Sequence, residues 1–121
     1  MKVTYSDIVK QAGKDYGLIQ KATEHLAGIV DPASEELAPF FSPADNLISA
    51  EWDAVQDDQG RTRYTLKLSG LSSVVSASFQ PSELSQDDNM RWRLRRLWGD
   101  LLAANSKAGI KKLGQLVSKL N

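Results

Sequence analysis

The sequence predicts an α+β fold in two layers. Helices pack on one face of a three-stranded antiparallel β-meander, in the order α-β-β-β-α-α. Two observations predict it. Residues 48–80 alternate apolar and polar side chains with period two, the pattern of half-buried strands. On either side of that block, apolar residues recur at three- and four-residue steps, the pattern of amphipathic helices. A chain of 121 residues with 41% hydrophobic and 25% charged residues fits a single domain, 1–121.

The first element is expected to be one long helix over residues 4–30. Tyr5, Ile8, Val9, Ala12, Tyr16, Ile19, Leu26 and Val30 share one stripe. Thr4 and Asp7 stand at capping-box spacing. Gly13, Gly17 and Gly28 each weaken a helix by roughly 1 kcal/mol relative to Ala, so a break at Gly13 or Gly17 is the alternative. Asp31-Pro32 marks the end, because a residue before proline is pushed out of the helical region. The same pair can open a short helix running until Pro39. Phe40 and Phe41 are then expected to anchor a loop, and residues 42–46 carry turn chemistry.

The strand register follows from the turns. Trp52 shares a face with Tyr64 and Leu66 only if an odd loop joins the first two strands. Asp58-Gln59-Gly60 is such a loop, with glycine where a left-handed residue is needed. This sets Trp52 opposite Leu66, Ala54 opposite Tyr64 and Ala50 opposite Leu68. The even loop Gly70-Leu71-Ser72-Ser73 then sets Val75 opposite Leu68. The core face is Ile48, Trp52, Tyr64, Leu66, Leu68, Val75 and Phe79, and the opposite face, with Glu51 across from Lys67, can meet water.

Residues 88–104 form the next helix. Met90, Leu94, Leu97, Trp98 and Leu101 fall on one stripe, with Arg93, Arg95 and Arg96 off it. A final helix, 107–120, carries Ile110, Leu113, Leu116, Val117 and Leu120. Its stripe would sit about 110° from the preceding one on a straight helix, which predicts a break at Asn105-Ser106.

The order helix, meander, helix over residues 4–104 is similar to that of the double-stranded-RNA-binding domain. That family places a lysine cluster at the start of its second helix and a histidine-containing loop after its first strand. Here those places hold Asp87-Asp88-Asn89 and Asp57-Asp58-Gln59-Gly60. Both are acidic where phosphate would lie, so no site residue is carried over.

Composition narrows the chemistry. There is no cysteine, and His25 is the single histidine. Thiol catalysis, disulfides and Cys or multi-His metal sites are therefore ruled out by composition. His25 falls off the apolar stripe and is expected to be an exposed helical residue. The carboxylate pairs Glu35-Glu36, Asp57-Asp58 and Asp87-Asp88 all fall at turns or helix starts, where acids serve local structure. No glycine-rich phosphate loop occurs. The expectation is a non-enzymatic chain with no catalytic residue, cofactor or metal.

Residues 90–121 carry eight basic side chains against one acid, a net of +7, whereas residues 1–89 carry seven against fourteen, a net of −7. The two halves can offset one another within the domain, or the basic part can meet an acidic partner. Trp98 lies on the core stripe. Trp92 lies about 160° from its centre, between Arg95 and Arg96. A tryptophan among arginines has the composition of a binding hot spot, which makes Trp92, Arg95 and Arg96 the candidate partner surface. The other reading has the final helix folding back to bury Trp92. The expected role is a protein-interaction module, an adaptor or regulatory subunit, with another protein as partner. Nucleic-acid binding through the basic C-terminal helices is one alternative. Peripheral membrane attachment by the amphipathic helix 107–120 is another. A homodimer is also expected, because a first helix of about 39 Å overhangs strands of about 27 Å. No transmembrane run or secretory leader is read in the sequence, and the expected location is cytoplasmic.

Overall fold

The computed structural model describes residues 1–37, 48–70 and 73–120, with side chains over 1–32, 48–70 and 73–104. The elements run β1 (Lys2–Tyr5), α1 (Asp7–Lys10), α2 (Lys14–Leu37), β2 (Ser49–Gln56), β3 (Thr62–Gly70), β4 (Ser73–Phe79), a 3₁₀ turn (Pro81–Ser85) and α3 (Asp87–Leu120). The fold is α+β, with one four-stranded mixed sheet in the order β1-β2-β3-β4. The expected meander is present, and a strand is added at its edge. The element order is therefore β-α-α-β-β-β-α rather than the expected α-β-β-β-α-α. The helix, meander, helix order itself is retained in α2, β2 to β4 and α3, with β1 and α1 preceding it.

β1 corrects the reading of residues 4–30 as one helix. Lys2, Val3, Thr4 and Tyr5 alternate outward and inward and are mostly β-branched or aromatic. They pair in parallel with β2, Tyr5 against Trp52. Ser6 then caps α1, its hydroxyl accepting from the Val9 amide at 3.4 Å. α1 lasts one turn. Gly13 has φ +62°, a left-handed conformation that closes α1 before α2 begins. This is the alternative break the glycines allowed. α2 also continues through Pro32 to Leu37, so Asp31-Pro32 neither ends one helix nor begins another. Proline there forgoes one hydrogen bond to the Gly28 carbonyl, and the turns on both sides hold the path.

The register of the meander is as expected. Trp52 faces Leu66, Ala54 faces Tyr64 and Ala50 faces Leu68, while Leu68 faces Val75. Gly60, at φ +75°, closes the first hairpin. The Asp57 side chain accepts from the amides of Gln59 and Arg61, both at 2.9 Å. Gly70 and Ser73 belong to the strands rather than to the second turn, and Leu71 and Ser72 lie outside the described residues. So do the loop expected at Phe40 and Phe41 and the turn at 42–46.

α2 and α3 cover one face of the sheet. Ile19, Ala22, Leu26 and Val30 from α2 meet Trp52, Leu66, Leu68 and Phe79 from the strands and Met90, Leu94, Leu97, Trp98 and Leu101 from α3. Each fully buried Leu or Ile contributes about 1.5–3 kcal/mol relative to an exposed one. Val75, expected in the core, is only partly buried. Inside this apolar layer the indole Nε1 of Trp52 donates to Thr23 Oγ1 at 2.9 Å, and that hydroxyl donates to the Ile19 carbonyl at 2.7 Å. The other sheet face, including Glu51, Lys67 and Val74, is open.

α3 runs 34 residues without the expected break at Asn105-Ser106. Asn and Ser are mediocre helix formers, but neither removes a backbone donor, and the propensity cost is a few tenths of a kcal/mol each.

The sheet's hydrogen bonds fix which backbone groups remain at its β4 edge. The Ser6 amide donates to the Trp52 carbonyl at 3.0 Å, and the Asp57 amide donates to the Arg61 carbonyl at 2.8 Å. Even residues of β2 therefore turn their backbone groups toward β1, and odd ones toward β3. Antiparallel pairs alternate in this respect. Carried through the register, the odd residues of β4 bond β3, and Val74, Ser76 and Ser78 direct their N–H and C=O groups to the open edge.

Candidate functional site

The first half of α3 builds the candidate surface. Asp87 and Asp88 stand in its first turn, where negative charge suits the helix N-terminus. Burial of Met90, Leu94, Leu97, Trp98 and Leu101 fixes the helix's rotation. Trp98 is structural, as expected. The same rotation sends Trp92 outward, where it is 59% exposed. Arg96 lies one turn later, its guanidinium 5.4 Å from the centre of the Trp92 ring. A cation over an indole face is attracted by the ring quadrupole and also stiffens both side chains. The reading in which Trp92 is buried under a folded-back final helix is thereby corrected: α3 does not turn back, and the indole stands largely in solvent.

Trp92 and Arg96 line a groove of about 220 Å³ between α3 and β4, together with Ser76, Ala77, Arg93, Leu97 and Asp100. Arg95 is exposed but does not line it. Of the three candidate residues, the structure thus brings Trp92 and Arg96 to one groove and leaves Arg95 beside it.

Arg93 has a role the wheel did not reveal. Its Nη1 meets Glu83 Oε2 at 2.6 Å, its Nη2 donates to the Ser78 carbonyl at 2.6 Å, and its guanidinium lies 4.1 Å over the Phe79 ring. The other Glu83 oxygen accepts from the Gln80 amide at 3.0 Å. Arg93 therefore clamps α3 to the 3₁₀ turn and the end of β4. Its partners lie ten and fifteen residues away, beyond any helical pattern.

Part of the charge asymmetry is met internally. Arg93 of the basic part pairs with Glu83 of the acidic part, whereas Lys21 on α2 approaches Asp87 on α3 at 3.6 Å within the acidic part. Arg91, Arg95 and Arg96 form no ion pair among the described residues.

His25 is half-buried rather than exposed. It lines a cavity of about 40 Å³ between α2 and α3, and its Nε2 is buried with no hydrogen-bonding partner among the described residues. Packing of α3 beside α2 covers this flank of the helix. Asp57 serves its own hairpin, as expected, whereas Asp87 reaches across to Lys21 on α2. Among the described residues, no group of three or more His, Asp or Glu side chains is placed to hold a metal ion. No described helix is long and apolar enough to cross a membrane.

Comparison with known protein families, with curated proteins and with solved structures finds no match for this chain.

Proposed function

We propose that this chain is a non-enzymatic protein-interaction module, an adaptor or regulatory subunit, that docks another protein on the groove between α3 and β4. One observation carries the reading: Trp92 is 59% exposed, stacked by Arg96, at the rim of a groove floored by Ala77 and Leu97. Tryptophan and arginine are among the residue types enriched where binding energy concentrates. A nucleic acid is less well served, since a phosphate backbone calls for a row of cations and Arg96 is the one groove-lining arginine outside an ion pair among the described residues.

A photo-crosslinking amino acid at position 96, compared with one at position 51 on the open sheet face, tests this in the native host. The expected result is one discrete protein adduct from position 96 that disappears in Trp92→Ala. Identical adducts from both positions, or adducts to nucleic acid alone, would overturn the proposal.

A further inference from the structure

We infer that the groove takes its partner as an extended, acidic segment that adds to β4 as a fifth strand; this rests on the docking reading above and specifies its geometry. Three observations converge. The first is the edge itself. Val74 and Ser76 direct N–H and C=O outward, and no backbone partner meets them among the described residues. Ser78 adds its N–H, while its carbonyl is already taken by Arg93. Arg93 therefore closes one end of the edge and sets where an added strand must stop.

The second observation is the sequence of β4. Ser73–Phe79, SVVSASF, contains no charge and no proline. Lysine, proline or an inward charge is how exposed edges normally discourage pairing. β1, the opposite edge, has only four residues and carries Lys2. β4 thus presents the longer and less guarded edge.

The third is what flanks the edge. The groove on the helix side is the space an added strand's inward side chains would enter, beside Trp92, Arg96 and Leu97. On the other side Val74 is 58% exposed. Main-chain pairing would supply affinity, and alternate side chains in the groove would supply selectivity. Arg96 in the groove and Arg95 beside it, both without ion pairs among the described residues, outnumber Asp100, the groove's one acid. That balance favours carboxylates on the incoming segment. It disfavours a second copy of this chain. Two β4 strands related by a two-fold axis would place both α3 helices on the same face, arginines toward arginines, with no acid in β4 to separate them.

The test uses random peptides displayed on phage and selected against the full chain. Retained peptides should be rich in Asp and Glu alternating with apolar residues. Ser76→Pro removes an outward N–H that the β3–β4 ladder does not use, so the fold should persist. It should weaken the selected peptide roughly tenfold or more, since the ring also blocks the approaching strand. Trp92→Ala should weaken it comparably, and Arg96→Glu should reject acidic peptides. Hydrogen exchange at the Val74 and Ser76 amides should slow when the peptide binds. If Trp92→Ala weakens binding but Ser76→Pro does not, and those amides stay fast, strand addition is wrong while the docking reading stands. Should neither variant change binding, or no peptide be retained, both readings fall. Concentration-dependent dimerisation that protects the same amides in the absence of peptide would make a second copy the occupant and overturn the acidic segment. If Ser76→Pro does not fold, exchange on the unaltered chain decides.

Discussion

Replacing Thr23 by Val would leave the Trp52 indole N–H without an acceptor inside the core. Val matches Thr in shape, so the change removes one oxygen with almost no change in volume. Thr23 is 4% exposed and Trp52 1%, so water cannot take the oxygen's place. The Ile19 carbonyl, which loses the Thr23 hydroxyl, keeps the backbone bond that α2 itself supplies. The cost is therefore that of a buried, unsatisfied donor, about 1–3 kcal/mol, or a factor of about 5 to 150 in the folded-to-unfolded ratio. This is a large share of the roughly 5–15 kcal/mol by which domains are stable. Denaturant unfolding measures it. A double-mutant cycle with Trp52→Phe isolates it, because the cavity left by Phe cancels between the two arms. With no indole N–H to orphan, Thr23→Val should cost almost nothing in the Trp52→Phe background. Equal costs in the two backgrounds, or a Thr23→Val chain as stable as the parent, would refute the assigned hydrogen bond.

Four further outcomes are expected. Trp92→Ala should change stability by under about 0.5 kcal/mol in the same unfolding assay, because the indole is largely in solvent. Gly13→Ala should destabilise by about 1–2 kcal/mol; nothing lies within 4 Å of the added methyl, so the cost comes from φ +62° alone. Glu83→Gln should cost about 1–2 kcal/mol by removing a charge-assisted bond to a guanidinium three-quarters buried, and should speed exchange at the Gln80 amide. Burial, then the hydrogen bond and charge of Asp15, push the Tyr64 phenol from 10.0 up to about 12; its protonated form is favoured on folding, so its contribution is intact below pH 10 and is lost as pH rises toward 12. Tyr64→Phe should flatten that alkaline loss, followed by circular dichroism against pH.

The meander was legible because turn length and side-chain parity constrain each other. An odd loop with Gly60 and an even loop after Leu68 leave one register that buries Trp52, Leu66 and Leu68 together. β1 was not legible. Tyr5, Ile8 and Val9 fit a helical stripe as well as any residues in the chain, yet Ile8 is 62% exposed. Four residues are too few for period two to outweigh period 3.6, and what decides is pairing with β2, far along the sequence. Pro32 and Asn105 misled for a related reason: local stop signals cost a few kcal/mol at most, and neighbouring turns can override them. At the candidate site the wheel placed Trp92 and Arg96 correctly on the outer face of α3. It could not separate Arg93 from the other arginines, because Glu83 and Ser78 reach it only in the folded chain. The open edge of β4 was likewise invisible until the strand order was known.

The parallel pairing of β1 with β2 also dictates an order of assembly. β2, β3 and β4 are joined by short hairpins and can close on one another almost as soon as they exist. β1 is made before them, yet Lys2 meets Ser49 only after both intervening helices have been laid down. Loop closure over that span costs more entropy than closure of either hairpin, and distant contacts slow folding. β1 precedes the other three strands of the sheet in the chain, and its docking is expected to come last. Without β1 the even residues of β2 would present a bare backbone, leaving the sheet two open edges where the finished one guards one of them with a short, lysine-bearing strand.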